Sequence, residues 1–279
     1  QPFHWLAEFY EIISGNGGFD VVIGNPPYVE LSKNKVPYSL YYYKHTYRDL
    51  YGYILLRSIE ISKNFDNLGF IIPISFNSTD GFETLMKEYN KSFLYISCYA
   101  DSAKMFQVTK RLSIVIKRKG CKDCIYMTRY IKCQNNMQIR ITANPYYPIS
   151  PKLFFDNKPP KLSSSLESNL ISKLFSKSDK TIAYYQVKHS LNKIYYTRSI
   201  RNFRPFFDYA IHHLYPDGSI KEPTERKDFS VKEENHKAIT AFLNSNLAFM
   251  IFCLYTDVRN INSGLILCLP LNSNVVQDT

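Results

Sequence analysis

Along the first 120 positions, apolar residues fall into short runs separated by polar stretches, and the runs alternate between strand-like and helical spacing. Phe19-Asp-Val-Val-Ile-Gly24 is an apolar run bounded by turn residues and predicts a buried strand over 19–24. Asp49 is placed to cap a helix over Leu50–Lys63, which is apolar on most faces and therefore expected to lie on a sheet. Gly69-Phe-Ile-Ile-Pro-Ile-Ser75 predicts a second buried strand, closed by the polar residues Ser75, Asn77 and Ser78. A short helix over Glu83–Lys91, a third strand at Phe93–Tyr99 and a fourth at Leu112–Lys117 follow. This strand–helix–strand rhythm is that of an open parallel α/β sheet with helices on its faces, in which ligands bind beyond the carboxyl ends of the strands.

From about Asn144 the texture changes. Asn144-Pro-Tyr-Tyr-Pro and Lys158-Pro-Pro-Lys, with Ser163–Ser165, punctuate a linker, and shorter irregular segments follow. Two domains are expected, 1–140 and 141–279. The longest apolar run, Leu247–Tyr255, is too short to span a bilayer and predicts a buried helix. With no signal peptide at its start, the chain is expected to be cytoplasmic.

A chain of 279 residues with 45% apolar content can bury a large core. Its net charge of +11 is spread over both halves and suggests a polyanionic partner. Aromatic content of 15% supplies stacking surfaces as well as core. The six cysteines have no regular spacing, which argues against a disulfide framework. Cys121-x-x-Cys124 with Cys133 lacks a nearby fourth ligand, so no metal site is expected.

The first strand stops on Asn25-Pro-Pro-Tyr28, where two prolines forbid further ladder bonding. Asn25 offers one acceptor and two donors on a rigid backbone at the edge of a cleft, and Tyr28 offers a face for stacking. A loop of this composition suits a planar, hydrogen-bonding group. A proline-locked turn leading off a sheet edge is the plainer reading of the same residues.

Placed at a strand end, this loop resembles the catalytic loop of the amino-methyltransferases, whose signature is (Asp/Asn/Ser)-Pro-Pro-(Tyr/Phe/Trp). Pro2-Phe-His-Trp5 and Gly17-Gly-Phe-Asp20-Val-Val-Ile-Gly resemble in particular the adenine-specific DNA methyltransferases of type IIG restriction–modification systems. Asp49-Leu-Tyr51, Gly69-Phe-Ile-Ile-Pro73 and Met105-Phe106 with Arg111-x-Ser113-Ile-Val-Ile are similar to the later blocks of that family, in order. Over the remainder the resemblance is looser; Asn244-Ser-Asn and Asp257-x-Arg259-x-Ile261-Asn262 resemble the end of its target-recognition region.

The resemblance implies the second half of a doubly wound, Rossmann-like methyltransferase sheet followed by a smaller α+β target-recognition domain. It implies transfer of a methyl group from S-adenosylmethionine to the exocyclic N6 of adenine in double-stranded DNA. Asn25, Pro26, Pro27 and Tyr28 would form the catalytic loop. The Asn25 side-chain oxygen and the Pro26 carbonyl would orient the amine, and Tyr28 and Phe106 would hold the flipped base between them. The family's Gly-rich cofactor loop has no counterpart here, since Gly15-Asn-Gly-Gly18 lies immediately before the catalytic strand. The chain therefore resembles a methyltransferase severed from its cofactor-binding half, to be supplied upstream or separately, and is expected to be inactive alone.

Basic residues mark the candidate DNA surface. From Thr181 to Phe207 there is no acid, while Lys188, Lys193, Arg198, Arg201 and Arg204 alternate with Tyr195, Tyr196, Phe203 and Phe206. That mixture suits phosphate and base contact, although a solvated loop over a small core has the same composition. Lys104, Lys110 and Arg111 form a second candidate beside the cleft. Pro216-Asp217 with Glu225-Arg-Lys227 matches a metal-dependent nuclease pattern in form only, because Gly218 and Pro223 make the segment read as loop, and in this family that activity belongs to an upstream domain. Two rival readings share these residues: a DNA-specificity module without catalysis of its own, and a protein-glutamine or RNA amino-methyltransferase.

Overall fold

The computed structural model describes residues 5–34, 36, 40, 46–65, 67–100, 110–120, 124–131, 145–199 and 205–277. The chain divides into two compact units, Gln1–Ser164 and Ser165–Thr279, a later division than the 140/141 expected from composition. The segment after 144 belongs to the first unit because Tyr147–Ile149 adds a strand to its sheet.

The first unit opens with α1 (Trp5–Glu8) and a π-helical turn, Glu11–Gly15. Its sheet is built from β1 (Val22–Gly24), β2 (Leu68–Pro73), β3 (Phe93–Tyr99), β4 (Leu112–Arg118), β5 (Cys124–Ile131) and β6 (Tyr147–Ile149), in the order β1-β2-β4-β3-β5-β6. The sheet is mixed, which corrects the expectation of a parallel one. Only β1–β2 and β3–β5 run parallel; β4 lies between β2 and β3, antiparallel to both. The reason lies in the connection: Tyr99 and Leu112 are register partners, so the chain returns directly beside β3, and a returning neighbour is antiparallel.

Helix α2 (Leu50–Ile61) packs its buried residues, among them Tyr51, Leu55 and Ile59, against β2 and against α4 (Glu83–Tyr89). Each such large apolar side chain contributes about 1.5–3 kcal/mol on burial. Tyr51 stacks on Phe82 at 5.1 Å, and Phe76 meets Tyr89 edge-on at 5.5 Å. Gly52 sits inside α2 because a Cβ there would lie 2.7 Å from the Tyr47 ring. Asp49 occupies the position before the helix, in extended backbone, but its side chain makes no capping bond. The polar residues after β2 form α3 (Ser75–Ser78), and two of them are interior: Asn77 donates to Cys98 Sγ and accepts from Ser113 Oγ at 3.1 Å.

The first strand departs from expectation in two ways. It is three residues long and largely uncovered, with Ile23 78% and the preceding Val21 59% exposed, and among the described residues it pairs only with β2. Gly24 ends the strand and lies outside the left-handed backbone region. Its missing side chain serves close packing, since a Cβ would sit 3.3 Å from the Phe70 ring.

The second unit contains α5 (Ser165–Lys177), β7 (Lys180–Thr181), α6 (Ile182–Tyr185), β8 (Lys193–Thr197), β9 (Phe206–Phe207), β10 (His213–Leu214), β11 (Ile220–Lys221) and β12 (Arg226–Ser230). It continues through α7 (Glu233–Leu243), α8 (Asn246–Tyr255), α9 (Ser263–Cys268), β13 (Pro270–Leu271) and α10 (Ser273–Gln277). A three-stranded antiparallel sheet, β12-β8-β9, carries α7, and β10–β11 and β13–β7 form two-stranded antiparallel pairs. The run Leu247–Tyr255 is helical as expected, with Ile251, Phe252 and Leu254 in the core. Among the described residues no single helix is long and apolar enough to cross a membrane.

Candidate active site

Among the described residues, the candidates Asn25–Tyr28 and Lys110 meet at the end of β1. Asn25 is exposed, Pro26 is buried, Pro27 is exposed and Tyr28 is half-buried. The Tyr28 ring packs against the core pair Tyr99 and Leu112, which anchors one end of the loop. Its hydroxyl lies 2.5 Å from Asn25 Oδ1 and 2.9 Å from the Ile71 carbonyl oxygen of β2. Burial pushes the Tyr28 pKa above its ordinary value, so the hydroxyl stays protonated at neutral pH. Lys110 places its ammonium 5.4 Å from the centre of the Tyr28 ring, within cation–π reach, and the Arg111 carbonyl accepts from Ile74 N–H.

Beyond Tyr28 the chain is pinned to the start of α2. Leu50 N–H donates to the Val29 carbonyl, Leu31 N–H to the Arg48 carbonyl, and Glu30 and Asp49 form an isolated bridge. The Glu30 carboxylate takes Lys33 at 2.6 Å and Arg48 at 2.5 Å. Hydrogen bonds from Lys33 and then Arg48 lower its pKa to about 2. Asp49 moves the other way, its pKa raised by burial against the pull of Arg48. On the far side of α2, the Tyr51 hydroxyl and Ser75 Oγ are 2.7 Å apart, which ties the helix to the end of β2. The loop is therefore braced from two directions.

At the start of the same block, Gly18 has φ +124°, and a Cβ there would lie 2.6 Å from the Ile61 carbonyl oxygen. Only glycine lets this turn cross the end of α2, where Phe19 N–H donates to Ile61 O and Lys63 N–H to Phe19 O.

Residues 1–106 match the Eco57I restriction-modification methylase family. The resemblance to type IIG restriction–modification methyltransferases is thus carried by the methylase region that holds Asn25-Pro-Pro-Tyr28. Over 88 residues the chain is 38% identical to the type II restriction enzyme and methyltransferase RM.MjaORFECS2P of Methanocaldococcus jannaschii, covering 32% of this chain and 7% of that protein. Over 80 residues it is 38% identical to RM.Eco57I of Escherichia coli, a type II restriction enzyme and methyltransferase, covering 26% of this chain and 8% of that one. The chain thus spans less than a tenth of the length of either relative. Among solved structures, a DrdV–DNA complex aligns with 47% of this chain and 17% of its own at 16% identity; its TM-score of 0.36 is too low to carry an argument.

Lys104 and Phe106 lie outside the described residues, as do Arg201, Phe203, Arg204 and the cysteines 121 and 133. Of the remaining candidates, Lys188 and Arg198 are exposed, and Lys193 is half-buried and ion-paired with Asp228 at 3.0 Å. The aromatics between them divide. Tyr196 and Phe206 are core residues, 5.6 Å apart, and do not offer a stacking surface; Tyr195 faces Arg226 at 5.6 Å. Alternation along β8 is the cause, since Ile194 and Tyr196 point inward while Tyr195 does not.

The late resemblance blocks act as scaffold. Asn244 clasps Phe206, donating Nδ2–H to its carbonyl at 2.9 Å and accepting its N–H at 3.3 Å. Asp257 Oδ1 accepts from Arg259 and Asn260 N–H, and Ile261 N–H donates to the Arg198 carbonyl. The nuclease-like residues are separated: Asp217 turns the β10–β11 pair by accepting Ser219 N–H, while Lys227 lies on β12, in strand rather than in the loop expected. Among the described residues no group of His, Cys, Asp or Glu could hold a metal ion.

Sequence reasoning missed Ile71, Arg48 and Asp228. Ile71 acts through a backbone carbonyl, which no side chain announces, and Asp228 reaches Lys193 from a strand more than thirty residues away.

Proposed function

We propose that this chain supplies the amine-orienting loop and the target-recognition unit of an S-adenosylmethionine-dependent DNA methyltransferase that acts on adenine N6 within a restriction–modification system. The observation that carries the reading is the Asn25 amide, exposed at a strand end beside the braced Tyr28, inside the region that matches the methylase family.

An adenine amine is a poor nucleophile because its lone pair is delocalised into the ring. Hydrogen bonds from its two protons to the Asn25 side-chain oxygen and the Pro26 carbonyl favour a more tetrahedral nitrogen. They also aim its lone pair at the methyl donor. The contribution is positioning and electrostatic preorganisation, with no covalent intermediate. Tyr28 gives the flipped base a partner to stack on, and Lys110 adds a cation beside it. The residues at Gly17–Gly18 do not fit S-adenosylmethionine: the space a Cβ would fill at Gly18 is already taken by the backbone of residues 61–63. The donor's pocket is assigned to a part of the protein other than this chain. Residues 165–279 are assigned to target recognition, with Lys188 and Arg198 exposed toward solvent.

The test is methyl transfer by the longer polypeptide that carries this chain. Duplex DNA is incubated with it and labelled S-adenosylmethionine, digested to nucleosides and resolved. N6-methyldeoxyadenosine is the expected product. A methylated cytosine, RNA or protein would overturn the substrate, and DNA binding without any transfer would leave a specificity module.

A further inference from the structure

Three polar groups meet at the end of β1. Tyr28 Oη lies 2.5 Å from Asn25 Oδ1 and 2.9 Å from the Ile71 carbonyl oxygen. In that arrangement both partners are acceptors, while a phenol has a single proton to give. One of two close oxygen pairs is then left without a hydrogen. The Ile71 carbonyl cannot change its role, since it only accepts and its strand is fixed between β1 and β4. The Asn25 amide can. A half-turn about its last torsion exchanges Oδ1 for Nδ2 in nearly the same volume.

With Nδ2 toward the phenol, every group is satisfied in one direction. Asn25 Nδ2–H donates to Tyr28 Oη, and Tyr28 Oη–H donates to the Ile71 carbonyl. Resting on the amine-methylation reading above, we infer that the Tyr28 hydroxyl is a positioning group: it fixes the sense of the Asn25 amide so that Oδ1 turns away from the phenol and accepts from the substrate amine. The opposite sense would point the donors of the amide at the donors of the amine, a repulsive pairing. The relay is rigid because each member is held by the next: a ladder carbonyl orients the phenol, and the phenol orients the amide. Its ring is fixed by Tyr99 and Leu112, and its proton is retained because burial raises its pKa. The signature this loop resembles accepts Phe or Trp at position 28, so the ring alone meets it. The hydroxyl is a further part, present in this chain.

The test has two arms. In the first, the side-chain NH2 resonances of Asn25 are located in the 15N spectrum of the protein by their loss in Asn25→Ser. A hydrogen-bonded, slowly exchanging proton is expected in the wild type, and both resonances should move in Tyr28→Phe. Solvent-like NH2 shifts in the wild type, or shifts unmoved by Tyr28→Phe, overturn the positioning role whatever the protein methylates. In the second arm, single-turnover methylation by Tyr28→Phe in the longer polypeptide is expected to slow by about 10- to 100-fold. Fluorescence of 2-aminopurine at the target position, which reports base flipping and stacking, should be retained. An undiminished rate overturns the inference. A wild type that transfers no methyl to adenine instead overturns the functional reading and the amine-facing half of the inference, while the first arm still decides the orientation of the amide.

Discussion

Asp228 on β12 holds its carboxylate 3.0 Å from the ammonium of Lys193 on β8, diagonally across the strand pair from its own register partner Tyr195. A basic residue in an acid-free stretch of sequence is thus partly neutralised by the neighbouring strand. Lys188, eleven residues beyond the end of α5, is exposed. The two lysines should therefore differ as phosphate ligands. Lys188→Ala is expected to weaken binding to all duplexes alike and lower the salt slope by about one, and Lys193→Ala by less, because phosphate contact there must first displace Asp228. Binding isotherms across a salt series, on cognate and scrambled duplexes, separate the two. Equal slopes for both variants would count against the surface.

The Asn25 assignment makes a kinetic demand. Asn25→Ala in the longer polypeptide should lower methyl transfer by at least about a hundredfold, while DNA affinity, drawn mainly from phosphates, is preserved. Near-parental transfer by the variant would remove Asn25 from the chemistry.

Glu30 gives a pH signature. Its pKa falls from 4.5 to about 2 in the fold, through Lys33 and Arg48. A depressed carboxylate stabilises the fold fully above its unfolded pKa and loses that contribution as pH falls toward the folded one. Wild type should thus melt above Glu30→Gln at neutral pH, and the gap should close between pH 4.5 and about 2. The pairs are partly exposed, so added salt should narrow the gap as well. A gap that is constant with pH would mean that the substitution acts through something other than charge.

Gly17 and Gly18 are adjacent and both in left-handed backbone, yet their surroundings differ. A Cβ at Gly17 meets open space, so Gly17→Ala should cost only the conformational strain, about 1–2 kcal/mol. Gly18→Ala adds a collision with the backbone of residues 61–63 and should cost clearly more. Urea unfolding of the two variants side by side gives the comparison; a larger loss at Gly17 would contradict the crossing at the end of α2.

Much of this was legible in the sequence where local chemistry decides the structure. Phe93–Tyr99 reads as a strand and is one over those same residues, and Leu50 opens a helix as its polar predecessor suggests. Asn25-Pro-Pro-Tyr28 reads as the end of a strand because proline ends a ladder whatever surrounds it, and β1 stops at Gly24. Strand direction was not legible: β4 is as apolar as a parallel strand, and only its register with Tyr99 reveals that the chain turned back. The inward Tyr196 and Phe206 were misread as binding surface because aromatics next to arginines look alike in a core and at an interface. The period-two burial of Lys193–Thr197 was the available signal.

The uncovered first strand has a consequence for handling the protein. This edge shows Ile23 and Val21 to water and carries no charge within Val22–Gly24, so its three-residue length and the prolines that follow at 26 and 27 are what limit edge-to-edge pairing there. Prepared as these 279 residues, the chain should scatter light increasingly with concentration, and one gatekeeping charge, Ile23→Lys, should raise the concentration at which it stays clear. The strand that carries the candidate amide to its place is, by the same geometry, an open edge of the described sheet, where a strand from a second molecule can add.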